Sequence, residues 1–458
     1  MNITFIEKNE KKLFFLLLIF VIYILIFNLF TFNPILGYDA EAHHAYIEHI
    51  ARYLPESLNL PSEDDTYEFF SPPLPYLFPS LVSVICRNVI ESENILESCR
   101  PYYSKITQIF QTCLYLLTIF INLKSIQRVN KSKSFLNLGY FLMISILSVN
   151  YRSISMIRGE VYIIFFLSLL LYIFLKLKEN KFHHNNLFVL AFGLTVGSLL
   201  LSRQWSFFLI PGFIIIAFIL RDNERTNYLK FMFKQSIITG SISFWFYLNL
   251  FVSTGSFTAF NKEFNGFNFN NQSISFYIPT NENIYYFFTK PIRPWLDNQF
   301  ITTIYSDLWG DYWGYFVFTS RFLNDGRGQE FIGNYLARVN IVSLFSTFLL
   351  FYLYFLRSRL CKKNIFLRYI RLSVIISILG FVIFLILYPE IPTGDTIKAT
   401  YVLHVFHLII FYAALNLESI KKENIKIYNF FIFIFIATFI HNFSAYLSHY
   451  SSEFISRI

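Results

Sequence analysis

Runs of about 20 apolar residues recur along the whole of this 458-residue chain, and that recurrence restricts its fold more than any motif does. The stretch KLFFLLLIFVIYILIFNLFTFNPIL, residues 12–36, is one such run. Inside a bilayer no water is available to satisfy backbone N–H and C=O groups, so repeated crossings are made as helices. With 55% hydrophobic and only 15% charged residues, the chain does not fit a soluble domain. An all-α integral membrane protein is expected. Its 58 Phe accompany an abundance of Ile, Asn and Lys, a compositional bias that makes a Phe-rich stripe weak evidence for a binding site.

Eleven transmembrane helices are expected, near 13–33, 106–123, 136–150, 160–175, 186–201, 206–220, 235–253, 336–356, 372–388, 399–416 and 427–445. The net charge of +9 invites a nucleic-acid reading, but its distribution argues against one. Six short segments, EKNEKK, LKSIQRVNKSK, KLKENKFHHNN, RDNERTNYLKFMFK, RSRLCKKNIFLRYIR and ESIKKENIKIYN, hold 23 of the 38 Lys and Arg. With the first of them in the cytoplasm, the alternation of spans puts the other five there too. The charge is therefore topological. It predicts a multi-pass protein with a cytoplasmic N-terminus, in a bacterial plasma membrane or the endoplasmic reticulum, with no nucleic-acid partner. The first span is too long and wrongly flanked for a cleaved signal peptide and reads as a retained anchor. Neither an internal repeat nor a soluble domain is visible, so 1–458 reads as a single membrane-embedded domain.

Two external loops are long, 34–105 and 254–335, whereas every cytoplasmic loop is short. A channel or carrier places ionisable residues near the bilayer midplane. Here the span middles are aliphatic and aromatic, so chemistry is expected at the external interface. Of the four cysteines, Cys86 and Cys99 lie in the first external loop, Cys113 in a span and Cys361 in a basic loop. They show no metal spacing, and a Cys86–Cys99 disulfide is open to the chain if that compartment is oxidising.

GYDAEAHHAYIEHIARYLP, residues 37–55, brings carboxylates and histidines to the end of the first span. As a helix it puts Asp39, His43, Tyr46 and Ile50 on one face and Glu41, His44, Glu48 and Arg52 on a second, solvated one. Asp39 either caps this helix or serves chemistry together with His43. The run Glu63, Asp64, Asp65 reads as a solvated loop. Pro72 and Pro73 then begin a second apolar, juxtamembrane helix.

Taken in order, YDAEAHHAYIEHIA, FSPPLPYLF, SISMIRGEVYIIFFLSLLLYIF, LLLSRQWSFFLIPGFII and TGDTIKATYVLHVFHLIIFYAAL resemble the outward-facing elements of the GT-C superfamily of polytopic glycosyltransferases. The branch they resemble is that of the protein mannosyltransferases and aminoarabinose transferases, and the resemblance runs from residue 1 to about 416. By that resemblance Asp39 matches the first-loop catalytic carboxylate, which is proposed to deprotonate the acceptor. Where many relatives carry two adjacent acids this chain reads Asp39-Ala40-Glu41, so Glu41 competes for the role, or the two hold a divalent metal as in the oligosaccharyltransferase branch. Arg152, Arg158 and Glu160 fall at the second external corner and Arg203 at the next. Lys398 and Tyr401 fall in the late loop, where Thr400 stands in place of a frequent Arg. The basic residues at these positions are the resemblance's candidates for gripping a carrier phosphate.

The chemistry runs parallel to that likeness. No strand, Gly-rich turn and helix unit is present to bind a nucleotide sugar, so the expected donor is a polyprenyl-phosphate sugar. The acceptor is a hydroxyl of lipid, polysaccharide or protein, and no cofactor is required, although a divalent metal stays open. Inverting transfer needs one general base, Asp39, and cations aimed at the leaving phosphate, for which Arg203, Arg158 and Lys398 are candidates with Tyr401 beside them. Long basic side chains also snorkel to headgroups. His404 and His407, at i, i+3 in the tenth span, either line the pocket or bond between helices. KPIRPWLDNQFITTIYSDLWGDYWGYF carries Trp295, Trp309 and Trp313 with Asp307 and Asp311, which read as a sugar and acceptor platform or as interfacial anchors. Asn271-Gln-Ser is a sequon without an assigned use. The rival is a transporter or flippase of a lipid-linked sugar.

Overall fold

A computed structural model describes residues 4–89, 95–261, 264–293, 295–317, 326–355, 364–389 and 397–448. Cys361 and the TGDT opening of the late motif, 393–396, lie outside the described residues. Among those described, the regular structure is helical. Helices among them are α1 (Thr4–Thr31), α2 (Ala40–Tyr53), α3 (Leu74–Arg87), α4 (Arg100–Asn130), α5 (Leu138–Ser145), α6 (Ser148–Ser155), α7 (Glu160–Glu179), α8 (Asn186–Leu200), α9 (Ile210–Ile219), α10 (Asp222–Thr254), α11 (Phe300–Trp309), α12 (Gly326–Phe355), α13 (Ile365–Leu387), α14 (Leu403–Glu423) and α15 (Ile425–His441), with a nine-residue helix, Asn281–Thr289, before α11.

Seven helical stretches among the described residues are long and apolar enough to cross a membrane: Asn9–Thr31, Arg100–Asn130, Glu160–Glu179, Asp222–Thr254, Ile332–Phe355, Ile365–Leu387 and Ala399–Glu423. Three more of the expected spans appear as shorter apolar helices, Asn186–Leu200, Gln204–Ile219 and Ile425–His441. The eleventh, 136–150, is instead broken into α5 and α6, of eight residues each. The break keeps its backbone satisfied. The Asn150 amide donates to the carbonyl of Ile144 at 2.9 Å and the Tyr151 hydroxyl to that of Ser145 at 2.9 Å, which supplies the partners a buried helix end lacks.

Side-chain oxygens start many of these helices where the sequence places Asn. Asn137, Asn185, Asn364 and Asn424 each accept backbone N–H groups of the first turn. Gly255, at φ 76, ends α10 in the left-handed conformation usual for a helix stop.

The chain clusters into two compact units, each discontinuous in sequence. One comprises Met1–Phe32, Asn122–Arg152 and Phe264–Ile458, the other Asn33–Ile121 and Ser153–Glu263. In the second unit α8 packs on α10 through Gly193 and Gly197, where a Cβ would come within 2.8 and 2.9 Å of Ile238 and Ile242. Two glycines four apart let the backbones approach, as small residues do between helices in lipid. The same unit buries Tyr46, Ile47 and Ile50 of α2 against Tyr76 of α3 and Tyr103 of α4. Cys86 and Cys99 are joined by a disulfide that ties the end of α3 to the start of α4.

Candidate active site

Asp39 stands at the N-cap of α2, after a turn that needs Gly37 at φ 141, close to Met156. Its own φ is 59, a left-handed conformation that Asp tolerates better than most residues. The carboxylate makes no capping hydrogen bond. Asp39 Oδ2 lies 3.8 Å from Nη1 of Arg158 instead, and the side chain keeps 28% of its surface exposed. The capping explanation of this residue therefore does not describe its geometry.

Arg158 is sealed beneath it. Its guanidinium lies 4.0 Å from the Tyr38 ring centroid, donates to the Tyr38 carbonyl, and donates from Nη1 to Nε2 of His43 at 3.0 Å. A guanidinium only donates, so Nε2 is the acceptor and the proton of the neutral ring sits on Nδ1. That N–H is 2.8 Å from the Tyr76 hydroxyl, which in turn faces Glu68 Oε2 at 3.5 Å. Burial pushes the His43 imidazole down to about 3, against the opposing pull of Glu68, so the ring is neutral over the physiological range. The buried Glu68 accepts from the Ser71 hydroxyl and pairs with Arg203 Nη1 at 3.0 Å. Desolvation pushes its carboxyl up, but the His43 ring, the Arg203 charge and the Ser71 bond together hold it well below the usual carboxylate range. Arg203 also lies 3.5 Å from Glu160 Oε1 at the start of α7. Gly159 permits that approach, since a Cβ there would lie 2.5 Å from the Ser202 carbonyl and 2.8 Å from Arg203 Cγ.

The second unit thus gathers Asp39, His43, Arg158, Glu160 and Arg203 into one network and adds Glu68, Tyr76 and Ser71. Glu41 stands apart, its side chain 79% exposed and 3.0 Å from Arg100. His44, placed on the solvated face by periodicity, is buried: its Nε2–H donates to the Ile35 carbonyl and its Nδ1 accepts from Tyr103. A metal held by Asp39 and Glu41 does not fit this donor set. Each faces a different arginine, and among the described residues no group of three or more His, Cys, Asp and Glu is arranged to hold an ion.

In the first unit, Asp307, Trp309, Asp311 and Trp313 are all buried. Arg152 clamps the two acids, 2.7 Å from Asp307 Oδ1 and 3.3 Å from Asp311 Oδ1. Asp307 also accepts the backbone N–H of Ala399 at 2.7 Å, and Asp311 those of Phe316 and Val317 at 2.8 Å. Burial pushes the Asp307 carboxyl up, and Arg152 pulls against it. A sugar platform needs open ring faces and unspent oxygens, and these four side chains present neither. They brace α11 to the turn that begins α14. Lys398 and Tyr401 lie in that turn, the ammonium 5.6 Å from the ring centroid, and Lys398 is buried. His407 pairs with Asn150 at 3.0 Å, and His404 is buried one turn before it. The sequon Asn271 is spent on structure, its amide donating to the carbonyls of Gly266 and Ile386 at 2.9 Å.

Glu68 and Tyr76 escaped the sequence reading. Glu68 lies three residues beyond the solvated Glu63–Asp65 run and looks like its tail. The available signal was its neighbours, Phe69 and Phe70, which bury the stretch.

No protein-family model and no curated protein matches the chain. Among solved structures it is similar to the crystal structure of ArnT from Cupriavidus metallidurans in the apo state, at 11% identity and a TM-score of 0.46. The match covers 88% of this chain and 59% of that one.

Proposed function

We propose that this protein is an integral-membrane glycosyltransferase of GT-C type, which moves a sugar from a polyprenyl-phosphate carrier to an acceptor hydroxyl at the external face, with inversion. One observation carries the reading. Within the network of the second unit, Asp39 is the carboxylate that stays accessible, whereas Glu68 and Glu160 are buried. A general base has to reach the proton it removes and has to be ionised when the acceptor arrives. Asp39 has the access, and the buried Arg158 beside it favours the ionised form.

An in-line displacement puts the base and the leaving phosphate on opposite sides of the anomeric carbon. Arg158, already 3.8 Å from Asp39, is therefore assigned to holding the base rather than to the phosphate. Arg203, committed to Glu68 and Glu160, is assigned to positioning as well. The order of the motifs, and the shared outward side expected for them, support the same reaction class.

The test is sugar transfer by purified full-length protein from a panel of labelled polyprenyl-phosphate sugars. Asp39→Asn keeps the volume and removes the basicity, so transfer should fall by about 10²- to 10⁴-fold with the fold intact. Near-normal transfer by this variant rejects the assignment. Protein-dependent movement of the lipid with no new glycosidic bond would select the flippase reading instead.

A further inference from the structure

Gln111 is fully buried about 16 Å along α4, in a helix long and apolar enough to cross a membrane. An amide at such a place is costly unless protein groups satisfy it. Its Nε2 donates to the carbonyls of Ile154 at 2.9 Å and Met156 at 2.6 Å, and its Oε1 accepts the backbone N–H of Arg158 at 3.1 Å. Both donor hydrogens and one acceptor site are thus spent on the backbone of residues 154–158. That stretch bridges the break between α6, which ends at Ser155, and α7, which begins at Glu160. A helix end leaves carbonyls without intrahelical partners and a helix start leaves N–H groups, and here one side chain from a third helix serves both.

The turn held in this way carries two residues that reach Asp39 by separate routes. Arg158 puts Nη1 3.8 Å from Asp39 Oδ2 and donates to the carbonyl of Tyr38, the residue before it. Met156 packs against the turn that presents Asp39, its Sδ 3.2 Å from the place a Cβ on Gly37 would occupy. A shift of 154–158 would move the cation beside the carboxylate and the support of its turn together. We propose that Gln111 is a positioning residue for Asp39, acting through Arg158 and Met156. The inference rests on the reading of Asp39 as the general base.

Gln111→Met keeps the length of the side chain and removes all three bonds. Full-length protein with and without this substitution is compared by transfer kinetics, in the native and the Asp39→Asn backgrounds, and by hydrogen–deuterium exchange in detergent. The kcat of Gln111→Met should fall about tenfold with the donor KM unchanged, since a displaced base costs rate rather than binding. In the Asp39→Asn background the same substitution should change transfer by less than about twofold, because no base is left to place. Exchange should quicken in peptides covering 154–159 and 36–44, and not in α8. Gln111→Glu, which when protonated keeps the acceptor for Arg158 and one donor, should fall between the two, and it replaces Gln111→Met if that variant does not fold. Equal losses in both backgrounds overturn the inference, as does exchange that quickens at 154–159 but not at 36–44, because Gln111 would then hold the helix break and nothing more. Absence of transfer by the unaltered protein sinks the transferase reading instead, and exchange at 36–44 then decides the positioning role by itself.

Discussion

The His43 tautomer derived above makes two conservative substitutions distinguishable. His43→Gln carries a carbonyl oxygen out to the place of Nε2, so it keeps an acceptor for Arg158 and loses the donor to Tyr76. His43→Asn places an amide N–H near Nδ1, so it keeps the Tyr76 link and leaves Arg158 Nη1 without that acceptor. The bonds at stake are the 3.0 Å contact from a charged guanidinium and the 2.8 Å contact between neutral groups. A hydrogen bond to a charged group contributes about 1.5–3 kcal/mol and one between neutral groups about 0.5–1.5 kcal/mol. His43→Asn should therefore be the less stable of the two by about 1 kcal/mol. Unfolding in mixed micelles, followed by tryptophan fluorescence against the mole fraction of denaturing detergent, gives the order. Because Arg158 holds Asp39, kcat should also fall further in His43→Asn than in His43→Gln, with the donor KM unchanged in both. An Asn variant as stable as the Gln variant would refute the tautomer and with it the chain from Arg158 to Tyr76.

Acid should expose the same network. His43 sits at about 3 when folded against 6.5 when unfolded, so below pH 6.5 the unfolded chain binds a proton that the folded chain does not. Stability should then drop as pH falls from 6.5 toward 3, by at most about 1.4 kcal/mol per pH unit, and His43→Gln should lose less than the unaltered protein between pH 6.5 and 4.5 in the same titration. Replacing Cys86 and Cys99 by Ser opens a loop with a sequence separation of 13 and should cost about 3 kcal/mol, read as an earlier unfolding midpoint. Gly159→Ala forces a methyl against the Ser202 carbonyl and the Arg203 stem and should cost about 1–3 kcal/mol, with transfer falling as Arg203 shifts.

The membrane-spanning character of the chain was legible residue by residue, because an apolar run of bilayer length has few alternatives to a helix. So was α2, whose buried face holds His43, Tyr46 and Ile50 as its periodicity requires. Spacing could not place His44, because burial on the second face comes from Tyr103, 59 residues away. It could not separate one 15-residue apolar segment that crosses from one that breaks, as 136–150 does, because the break is held by the Asn150 amide and the Tyr151 hydroxyl donating back to the carbonyls of Ile144 and Ser145.

The sequence alone determined which residue types reach the end of the first span: a carboxylate, histidines and, later, arginines at successive corners. What only the tertiary structure decided was their pairing. Arg203 looked like a cation waiting for phosphate until the fold set it between Glu68 and Glu160, and Asp307 and Asp311 looked like sugar ligands until Arg152 closed over them. Charges taken out of water have to be compensated by partners within a few ångströms. Glu68 lies 135 residues from Arg203 and Asp307 lies 155 from Arg152, distances over which no local pattern extends.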